Sequence, residues 1–186
     1  LNFCTVDLSA FYFDIRKDSL YCDLKDSNKR KSCIIVLNVI LESLLKWFAP
    51  ILSFTTEEIF TLIDKNKKSI HLEKFIEFPK SIENKELNKK WIELKKIRDV
   101  CNISIEAKRA SKEIGSSLEA NLTINLSTKL NKISNNIDFS ELCITSSAIV
   151  EVSDSEEIIV STVKAEGNKC PVCWKINKEK CERHSV

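Results

Sequence analysis

Apolar residues in the first part of the chain recur with the period of an α-helix. A first stripe follows Asp7 and consists of Leu8, Phe11, Tyr12 and Ile15. Asp7 is a suitable N-cap, because an aspartate side chain accepts a hydrogen bond from an unpaired backbone amide of the first turn. The pattern therefore predicts an amphipathic helix that begins at Asp7.

Two more helices are predicted in the same region. The second ends before Pro50, which cannot continue a helix. Its buried stripe is Cys33, Leu37, Ile40, Leu41, Leu44, Leu45 and Phe48. Thr55 and Glu58 have the spacing of a capping box, which predicts that a third helix starts at Thr55. Three helices in succession are typical of a helical bundle, predicted here for residues 1–80 with an irregular connection at 64–79.

The period of the pattern changes in the second half of the chain. A long helix is predicted from Lys85 to Glu113, with Gly115 at the position where a helix commonly terminates. It carries nine Lys or Arg against five Asp or Glu, so its basic face is either simply solvated or a contact for phosphates. Beyond Gly115 the apolar residues alternate strictly with polar ones, as in a half-buried strand. The alternating residues are Leu118, Ala120, Leu122, Ile124 and Leu126.

Two further β-prone runs follow a short helical or turn segment. The first contains Ile144, Ala148, Ile149, Val150 and Val152, and the second contains Ile158, Val160 and Val163. Together with the long helix, these strands predict a small α+β unit over residues 81–166. The predicted fold class is therefore α+β in several parts: a helical bundle, a small α+β unit and a separate C-terminal segment at 167–186.

Composition narrows the class of protein only slightly. The 186 residues are 43% hydrophobic and 30% charged, as in a soluble globular protein, and the net charge of +2 does not demand a polyanionic partner. The chain has no apolar run long enough for a membrane span and no signal peptide, so we expect a cytoplasmic monomer that does not bind membranes. It begins at Leu1 and contains no methionine, and we expect it to be an N-terminally truncated fragment.

The most specific motif lies at the C-terminal end. Two residues separate Cys170 from Cys173, and Cys181 and His184 repeat that spacing after a seven-residue interval. Thiolate and imidazole groups are preferred ligands of Zn²⁺, and the two-residue spacer lets both members of a pair face one ion. A four-ligand site leaves no position for a substrate, so we predict a structural Zn²⁺ in a zinc knuckle over residues 167–186.

Two alternatives stay open for this motif. Cys170 and Cys173 also have the spacing of a thioredoxin-type redox pair, although no strand and helix follow in the expected order. His184 lies two residues from the end, and a frayed terminus would remove it from the site. The other five cysteines lie among apolar neighbours, and we predict that they are free structural thiols. They are Cys4, Cys22, Cys33, Cys101 and Cys143.

Basic and aromatic residues surround the predicted metal site. Those that we predict to contact RNA are Lys169, Trp174, Lys175 and Arg183. Cations attract phosphates, and an exposed indole can stack on a base of a single-stranded loop. The alternative is that Trp174 only packs the knuckle against the preceding β unit.

Several segments resemble one known family. The block DLSAFYFDIRKD at 7–18, followed by LYCD at 20–23, closely resembles the start of the anticodon-binding helical region of isoleucyl-tRNA synthetases, which are class I aminoacyl-tRNA synthetases. The segment LKWFAPILSFTTEEI at 45–59 is similar to a later part of that region, and IGSSLEA at 114–120 is similar to the turn into the family's C-terminal β unit. The motif KCPVCW at 169–174 resembles the zinc-binding tail of the bacterial-type enzymes.

The resemblance implies that the helical bundle is of the anticodon-binding type and that this chain engages the anticodon stem and loop of isoleucine tRNA. In the family, the whole enzyme uses ATP to attach isoleucine to that tRNA. The ATP-binding signatures of class I enzymes are absent from this sequence, and its only glycines are Gly115 and Gly167, so there is no glycine-rich phosphate loop. We therefore expect no catalytic residue here and expect the catalytic and editing domains upstream of Leu1.

The sequence departs from the family pattern at the metal site. The family usually supplies a second Cys-x2-Cys pair after a longer loop, whereas here the fourth ligand would be His184, which implies a shorter reach toward RNA. Two other functions remain possible from the residues alone: a stand-alone zinc-ribbon module that binds nucleic acid, and a metal-stapled module that binds proteins through an apolar patch.

Overall fold

The computed structural model describes residues 2–63 and 68–184 of this chain. The chain forms two compact units, which we call unit 1 and unit 2. Unit 1 combines Leu1–Cys22 with Asn84–Val186, and unit 2 is Asp23–Glu83. These two units differ from the predicted domains at 1–80, 81–166 and 167–186. The difference arises because the first helix packs its apolar side chains against the second half of the chain.

The helices follow the predicted order. A π-helical segment, Phe3–Phe13, leads directly into helix α1, Asp14–Cys22. The remaining α-helices are α2, Asn28–Phe48; α3, Ser53–Ile63; α4, Lys85–Ala110; α5, Thr128–Ser134; and α6, Phe139–Leu142. Single 3-10 turns cover Ile70–Leu72, Lys80–Ile82 and Ser117–Glu119. Among the described helices, none combines the length and the apolar character that crossing a membrane requires.

Unit 1 contains a three-stranded sheet with the order β2-β1-β3. Its strands are β1, Ala120–Ser127; β2, Ser147–Ser153; and β3, Ile159–Lys164. The central strand β1 runs parallel to β2 and antiparallel to β3. A parallel pair needs a crossover, and α5 and α6 provide it between β1 and β2. The predicted α+β class is confirmed.

The core of unit 1 lies between α4 and β1. On β1 the alternating residues Ala120, Leu122, Ile124 and Leu126 are at most 1% exposed, as the period of two predicts. They meet the buried face of α4, which consists of Leu94, Ile97, Cys101 and Ile105. Ile15 of α1 joins this cluster, and the Phe11 and Trp91 rings make an edge contact with centroids 6.0 Å apart. Apolar burial of this kind is the main term that stabilises a small domain.

Two predicted helix boundaries in unit 1 are wrong. Asp7 does not cap a helix, because the helical segment already begins at Phe3, and its carboxylate instead accepts a hydrogen bond from Lys95 Nζ at 2.8 Å. Gly115 does not terminate α4, because Lys112 takes the left-handed conformation first, with φ 61°. At Asp7, a contact with Lys95 takes the place of the predicted cap. At the end of α4, Lys112 takes the left-handed conformation that was expected of Gly115.

The basic face of α4 is partly neutralised within unit 1. Lys108 contacts Glu113 at 2.7 Å, and Arg109 contacts Glu106 at 2.6 Å. Such exposed pairs contribute little stability. They favour the solvated interpretation of this part of the helix.

Unit 2 is built from α2, α3 and the turn that follows them. Leu45, Ala49, Phe60 and Ile70 form its buried cluster. The predicted end of α2 before Pro50 is confirmed, but the capping box at Thr55 is wrong, because α3 already begins at Ser53. The irregular connection at 64–79 is described from residue 68 onward, where it holds one 3-10 turn, and residues 64–67 lie outside the described residues.

Candidate metal centre

The C-terminal segment of unit 1 forms a small antiparallel hairpin. Its strands are β4, Asn168–Lys169, and β5, Ile176–Asn177. Gly167 enters the hairpin with φ 131°, where a side chain is strained, and an added Cβ would lie only 2.2 Å from the backbone oxygen of Asn177. The hairpin therefore closes only around a residue without a side chain.

The turn of this hairpin carries the first pair of cysteines. The backbone N–H of Cys170 donates to the Lys175 carbonyl at 2.9 Å, and the N–H of Trp174 donates to the Cys170 carbonyl at 3.0 Å. Trp174 takes the left-handed conformation with φ 63°, which reverses the chain into β5. These bonds make a knuckle that directs the Cys170 and Cys173 thiols to the same side.

The four predicted ligands lie together. The Sγ atoms of Cys170, Cys173 and Cys181 and a ring nitrogen of His184 are all within 4.8 Å of one another. Cys173 Sγ is 3.8 Å from Cys181 Sγ, and His184 Nδ1 is 3.5 Å from Cys170 Sγ and 3.4 Å from Cys181 Sγ. This cluster could hold a metal ion.

The chain holds the imidazole of His184 in a defined orientation. Its Nε2 is 2.8 Å from the backbone carbonyl of Cys22. A carbonyl can only accept, so Nε2 carries the proton, and in the neutral ring Nδ1 offers its lone pair to the thiol cluster. The bond to this carbonyl is also the main cause that raises the pKa of His184. An outer partner of this kind is the usual support of a metal-binding histidine.

The three thiols do not ionise equally. Burial raises the pKa of Cys170, but hydrogen bonds with the backbone N–H groups of Cys173 and Val172 and with the Cys173 and His184 side chains together outweigh burial and lower it to about 6. For Cys173, burial and then the neighbouring thiols raise the pKa to about 12. A buried cluster of sulfurs thus favours one thiolate and disfavours the next, as like charges in one site require. A bound cation would remove that conflict.

The redox alternative is less well supported than a metal site. A lowered pKa at the first cysteine is also found in Cys-x2-Cys redox pairs. Here, however, a third thiol and an imidazole complete a four-ligand cluster. Among the described residues no two cysteines form a disulfide. Of the five outside the motif, Cys33, Cys101 and Cys143 are buried and Cys4 and Cys22 are half-buried.

Contacts with the rest of unit 1 fix the knuckle in place. The Arg183 guanidinium forms an ion pair with the Asp18 carboxylate of α1. The backbone N–H of Ile176 donates to Ser146 Oγ at 2.6 Å, and Lys175 Nζ donates to Ser140 Oγ at 2.9 Å. Arg183 and Lys175, which we predict to contact RNA, therefore already have protein partners.

The other two predicted RNA contacts lie side by side on the surface. Trp174 is 58% exposed, and Lys169 Nζ lies 5.3 Å from the centroid of its ring. Such a cation–π contact orients the indole without burying it. That these four residues touch RNA stays a prediction.

The sequence reasoning missed three residues of α1 that build the site. Asp18 pairs with Arg183, Cys22 orients His184 through its carbonyl, and Tyr21 lines a cleft whose lining also includes Cys173. All three fall within the segments 7–18 and 20–23 that carried the family resemblance, yet nothing in their spacing indicated a role at a motif about 160 residues away.

Comparisons with known proteins agree with the sequence resemblance. Residues 1–124 match the family model described as the anticodon-binding domain of tRNA ligase. The chain is 76% identical over 185 residues to an isoleucine--tRNA ligase of Pelagibacter ubique (strain HTCC1062), covering 100% of this chain and 20% of the relative. It is 39% identical over 191 residues to that of Agrobacterium fabrum and 40% identical over 190 residues to that of Bartonella quintana, in each case over 96% of this chain and 20% of the relative. The chain thus spans about a fifth of the length of the curated relatives it matches.

Proposed function

The chain belongs to the family of anticodon-binding domains of tRNA ligases, and we propose that it binds the anticodon stem and loop of an isoleucine tRNA. The family match over residues 1–124 carries this proposal, and the shared name of the relatives supports isoleucine as the amino acid. The parent protein is then an isoleucine-tRNA ligase, which uses ATP outside this chain to join isoleucine to its tRNA. We place it in the cytoplasm as a monomer.

We further propose that the Cys170, Cys173, Cys181 and His184 cluster binds one structural Zn²⁺. Zn–S bonds of about 2.3 Å and Zn–N bonds of about 2.0 Å at tetrahedral angles place two sulfurs about 3.8 Å apart and a sulfur and a nitrogen about 3.5 Å apart. The separations of 3.8 Å between Cys173 Sγ and Cys181 Sγ, and of 3.5 and 3.4 Å from His184 Nδ1 to Cys170 Sγ and Cys181 Sγ, support that geometry. When bound, the ion supplies cross-linking of the two ligand pairs rather than chemistry on a substrate.

In this proposal the knuckle is one of the surfaces that hold the RNA. Lys169, Lys175 and Arg183 contact phosphates, and Trp174 stacks on a base. The ion pair with Asp18 limits what Arg183 contributes, because an RNA phosphate must share or replace that carboxylate. Neither Lys169 nor Lys175 forms an ion pair among the described residues, but the charge of Lys175 helps to lower the pKa of Asp138, so Lys169 should contribute more of the electrostatic part.

Other domains of the parent ligase are proposed to cover part of unit 2. Its helices α2 and α3 and the turn between them expose large apolar side chains, including Phe54 at 92%, Ile51 at 74% and Leu62 at 74%. Soluble proteins rarely leave extended apolar patches open to water. The relatives are about five times longer than this chain, which supports a partner within the same polypeptide.

The alternative of a stand-alone zinc-ribbon module has less support. The family match ends at residue 124, so it rests on the helices and β1 and not on the knuckle. If the chain were a module defined by its metal site alone, neither that family match nor the similarity to relatives over the whole chain would be explained.

The test measures zinc content and RNA binding of the 186-residue chain together. We expect about one Zn²⁺ per chain and tighter binding of isoleucine tRNA than of a leucine tRNA control. Binding should weaken between about 50 and about 200 mM salt, because phosphate contacts release counterions. Equal binding of the two tRNAs contradicts the specificity, and a chain that is folded without metal contradicts the structural role.

Variants then separate the predicted contacts. Replacing Lys169 or Lys175 with Ala should reduce the slope of log affinity against log salt by about 0.7 each, as expected for one lost contact to a single-stranded phosphate. Lys74→Ala is the matched control, because Lys74 is an exposed lysine of unit 2. If all three variants have the same slope, the knuckle does not contact phosphates.

A further inference from the structure

A groove of about 790 Å³ lies in unit 1 between the first half of α4 and helix α5. Four lysines line it, Lys89 and Lys90 on α4 and Lys129 and Lys132 on α5, and we call it the lysine groove. Three of them are exposed, whereas Lys90 is half-buried and its Nζ donates to the Asn135 backbone carbonyl at 3.4 Å. Part of the basic face of α4 thus joins two further lysines in one concave surface.

The charges of these four lysines are not used within the protein. In the part of the chain that the structure describes, no ion pair involves any of them, although α4 forms several elsewhere. Lys129 and Lys132 are three residues apart on α5, where like charges are neighbours and repel each other. The basic residues of α4 outside the groove that do form ion pairs are Lys95, Lys96, Arg98, Lys108 and Arg109.

Three glutamates also line the lysine groove, but two of them are already compensated. The Glu93 carboxylate contacts Lys96 Nζ at 2.8 Å. Glu86 lies in the first turn of α4, where the positive end of the helix dipole favours a carboxylate. Only Glu156, in the loop between β2 and β3, then opposes the four lysines. The groove therefore favours an anionic ligand.

The lysine groove and the knuckle lie at opposite ends of the sheet. Ser127, the last residue of β1, lines the groove. At the other end, the backbone N–H of Ile176 in the knuckle donates to Ser146 Oγ, and the backbone N–H of Ser146 donates to the carbonyl of Ala120, the first residue of β1. Seven steps of about 3.3 Å separate Ala120 from Ser127, which gives about 23 Å. A nucleic-acid strand carries a row of phosphates and can reach both ends.

The lining of the lysine groove fits a nucleic-acid backbone better than its bases. None of the described residues that line it is aromatic, so it offers no ring on which a base could stack. Lysine side chains bind phosphate as flexible point charges. Paired RNA is recognised mainly through its phosphates and 2′-hydroxyl groups rather than through its bases. These features favour a double-stranded segment of RNA.

We propose that the lysine groove binds the sugar–phosphate backbone of the anticodon stem. This inference rests on the proposed function, since it assigns a second contact to the proposed RNA ligand. It makes Lys89, Lys90, Lys129 and Lys132 contacts that add affinity but do not read sequence. It also gives a role to the part of the basic face of α4 that ion pairs leave free.

The experiment measures binding of the 186-residue chain to a hairpin with the anticodon stem and loop of isoleucine tRNA. In Lys129→Ala and Lys132→Ala, each lost phosphate contact should reduce the slope of log affinity against log salt by about 0.7–0.9. The ratio of wild-type to variant affinity should therefore fall about threefold between about 50 and about 200 mM salt. Exchanging the base pairs of the stem should leave these losses unchanged, because phosphate contacts carry no sequence information.

Lys108→Ala is the matched control. It removes one positive charge from unit 1 at an α4 lysine outside the groove, whose Nζ contacts Glu113 at 2.7 Å. Its salt slope should equal that of the wild-type chain. Hairpins with an uncharged methylphosphonate at single stem positions locate the contact. At a contacted phosphate, this change should weaken binding of the wild-type chain but not weaken binding of Lys132→Ala further.

The outcomes separate this inference from the proposed function. Alanine is a good helix former, so the α5 variants should fold, which circular dichroism and zinc content check. If the wild-type chain binds the hairpin but both α5 variants have the slope of Lys108→Ala, the groove serves another partner, such as an acidic protein segment, and the inference is overturned. It is also overturned if no stem methylphosphonate affects binding of the wild-type chain. If the wild-type chain does not bind the hairpin at all, the proposed function itself fails.

Discussion

Replacing Gly167 with Ala should damage the metal centre without touching a ligand. Gly167 has φ 131°, and the added Cβ would lie 2.2 Å from the Asn177 backbone oxygen. Ordinary contact requires a displacement of about 1 Å, and the obstacle is backbone rather than a flexible side chain. Because β4 and β5 pair Asn168 with Asn177, the displacement must open the hairpin that carries Cys170.

The expected cost follows from the strained conformation alone. A side chain in such a backbone region costs about 1–3 kcal/mol, and the clash adds to it. If the hairpin forms only when metal binds, this cost lowers the affinity for Zn²⁺ by about tenfold or more, since about 1.4 kcal/mol corresponds to a factor of ten. Titration against a chromophoric chelator measures the affinity directly.

Gly115→Ala is the matched control for this substitution. Its added Cβ would meet only the end of the Glu119 side chain, at 3.4 Å, and its φ is not in the strained range. The control should bind Zn²⁺ like the wild-type chain. Equal affinities of the Gly167→Ala and Gly115→Ala chains would refute the reasoning, because they would mean that the hairpin geometry does not support the ligand cluster.

Two further predictions concern the stability of unit 1. Leu94→Ala, at a side chain that is 0% exposed, should lower the free energy of unfolding measured in urea by about 2–5 kcal/mol. The control Ile103→Ala, at a side chain that is 70% exposed, should change it by at most about 0.5 kcal/mol. Similar losses in the two variants would contradict the assigned core. Asp138→Ala should cost about 1 kcal/mol, because this carboxylate accepts hydrogen bonds from the amides of Ser140 at 2.8 Å and Glu141 at 3.3 Å. Burial raises the pKa of Asp138, but these bonds and a nearby lysine outweigh burial and keep it below the ordinary 3.8, so the stabilisation is present above that pH and is lost as the pH falls through the lower folded-state pKa. Asp138→Asn keeps a capping oxygen that does not titrate, so the free energy of unfolding of this variant should lose that pH dependence. Urea titrations at several pH values measure it. An unchanged pH dependence would show that another group causes it.

Local patterns in the sequence were sufficient for most elements of the fold. The period of two at Ala120, Leu122, Ile124 and Leu126 predicted β1, and each of these side chains is buried. The helical period and Pro50 predicted the end of α2. These predictions succeeded because the backbone repeat itself decides which side chains share a face.

The helix starts were harder to predict. Asp7 and Thr55 are good caps by their local chemistry, yet the helices begin earlier, at Phe3 and Ser53. A cap is worth only about 1 kcal/mol, so the burial of an apolar side chain such as Leu8, which is 5% exposed, is enough to override it. Helix boundaries therefore depend on neighbours that the local sequence does not reveal.

By itself, the sequence determined the candidate metal-binding segment and the family. The four clustered ligands lie within 15 residues of one another, and short spacers fix which side chains can face one ion. Only the tertiary structure decided what surrounds that cluster. The carbonyl of Cys22 that orients His184 and the carboxylate of Asp18 that holds Arg183 both come from the other end of unit 1. Their positions follow from the packing of α1 with the second half of the chain, and a contact between distant segments depends on many side chains at once, so no local pattern encodes it.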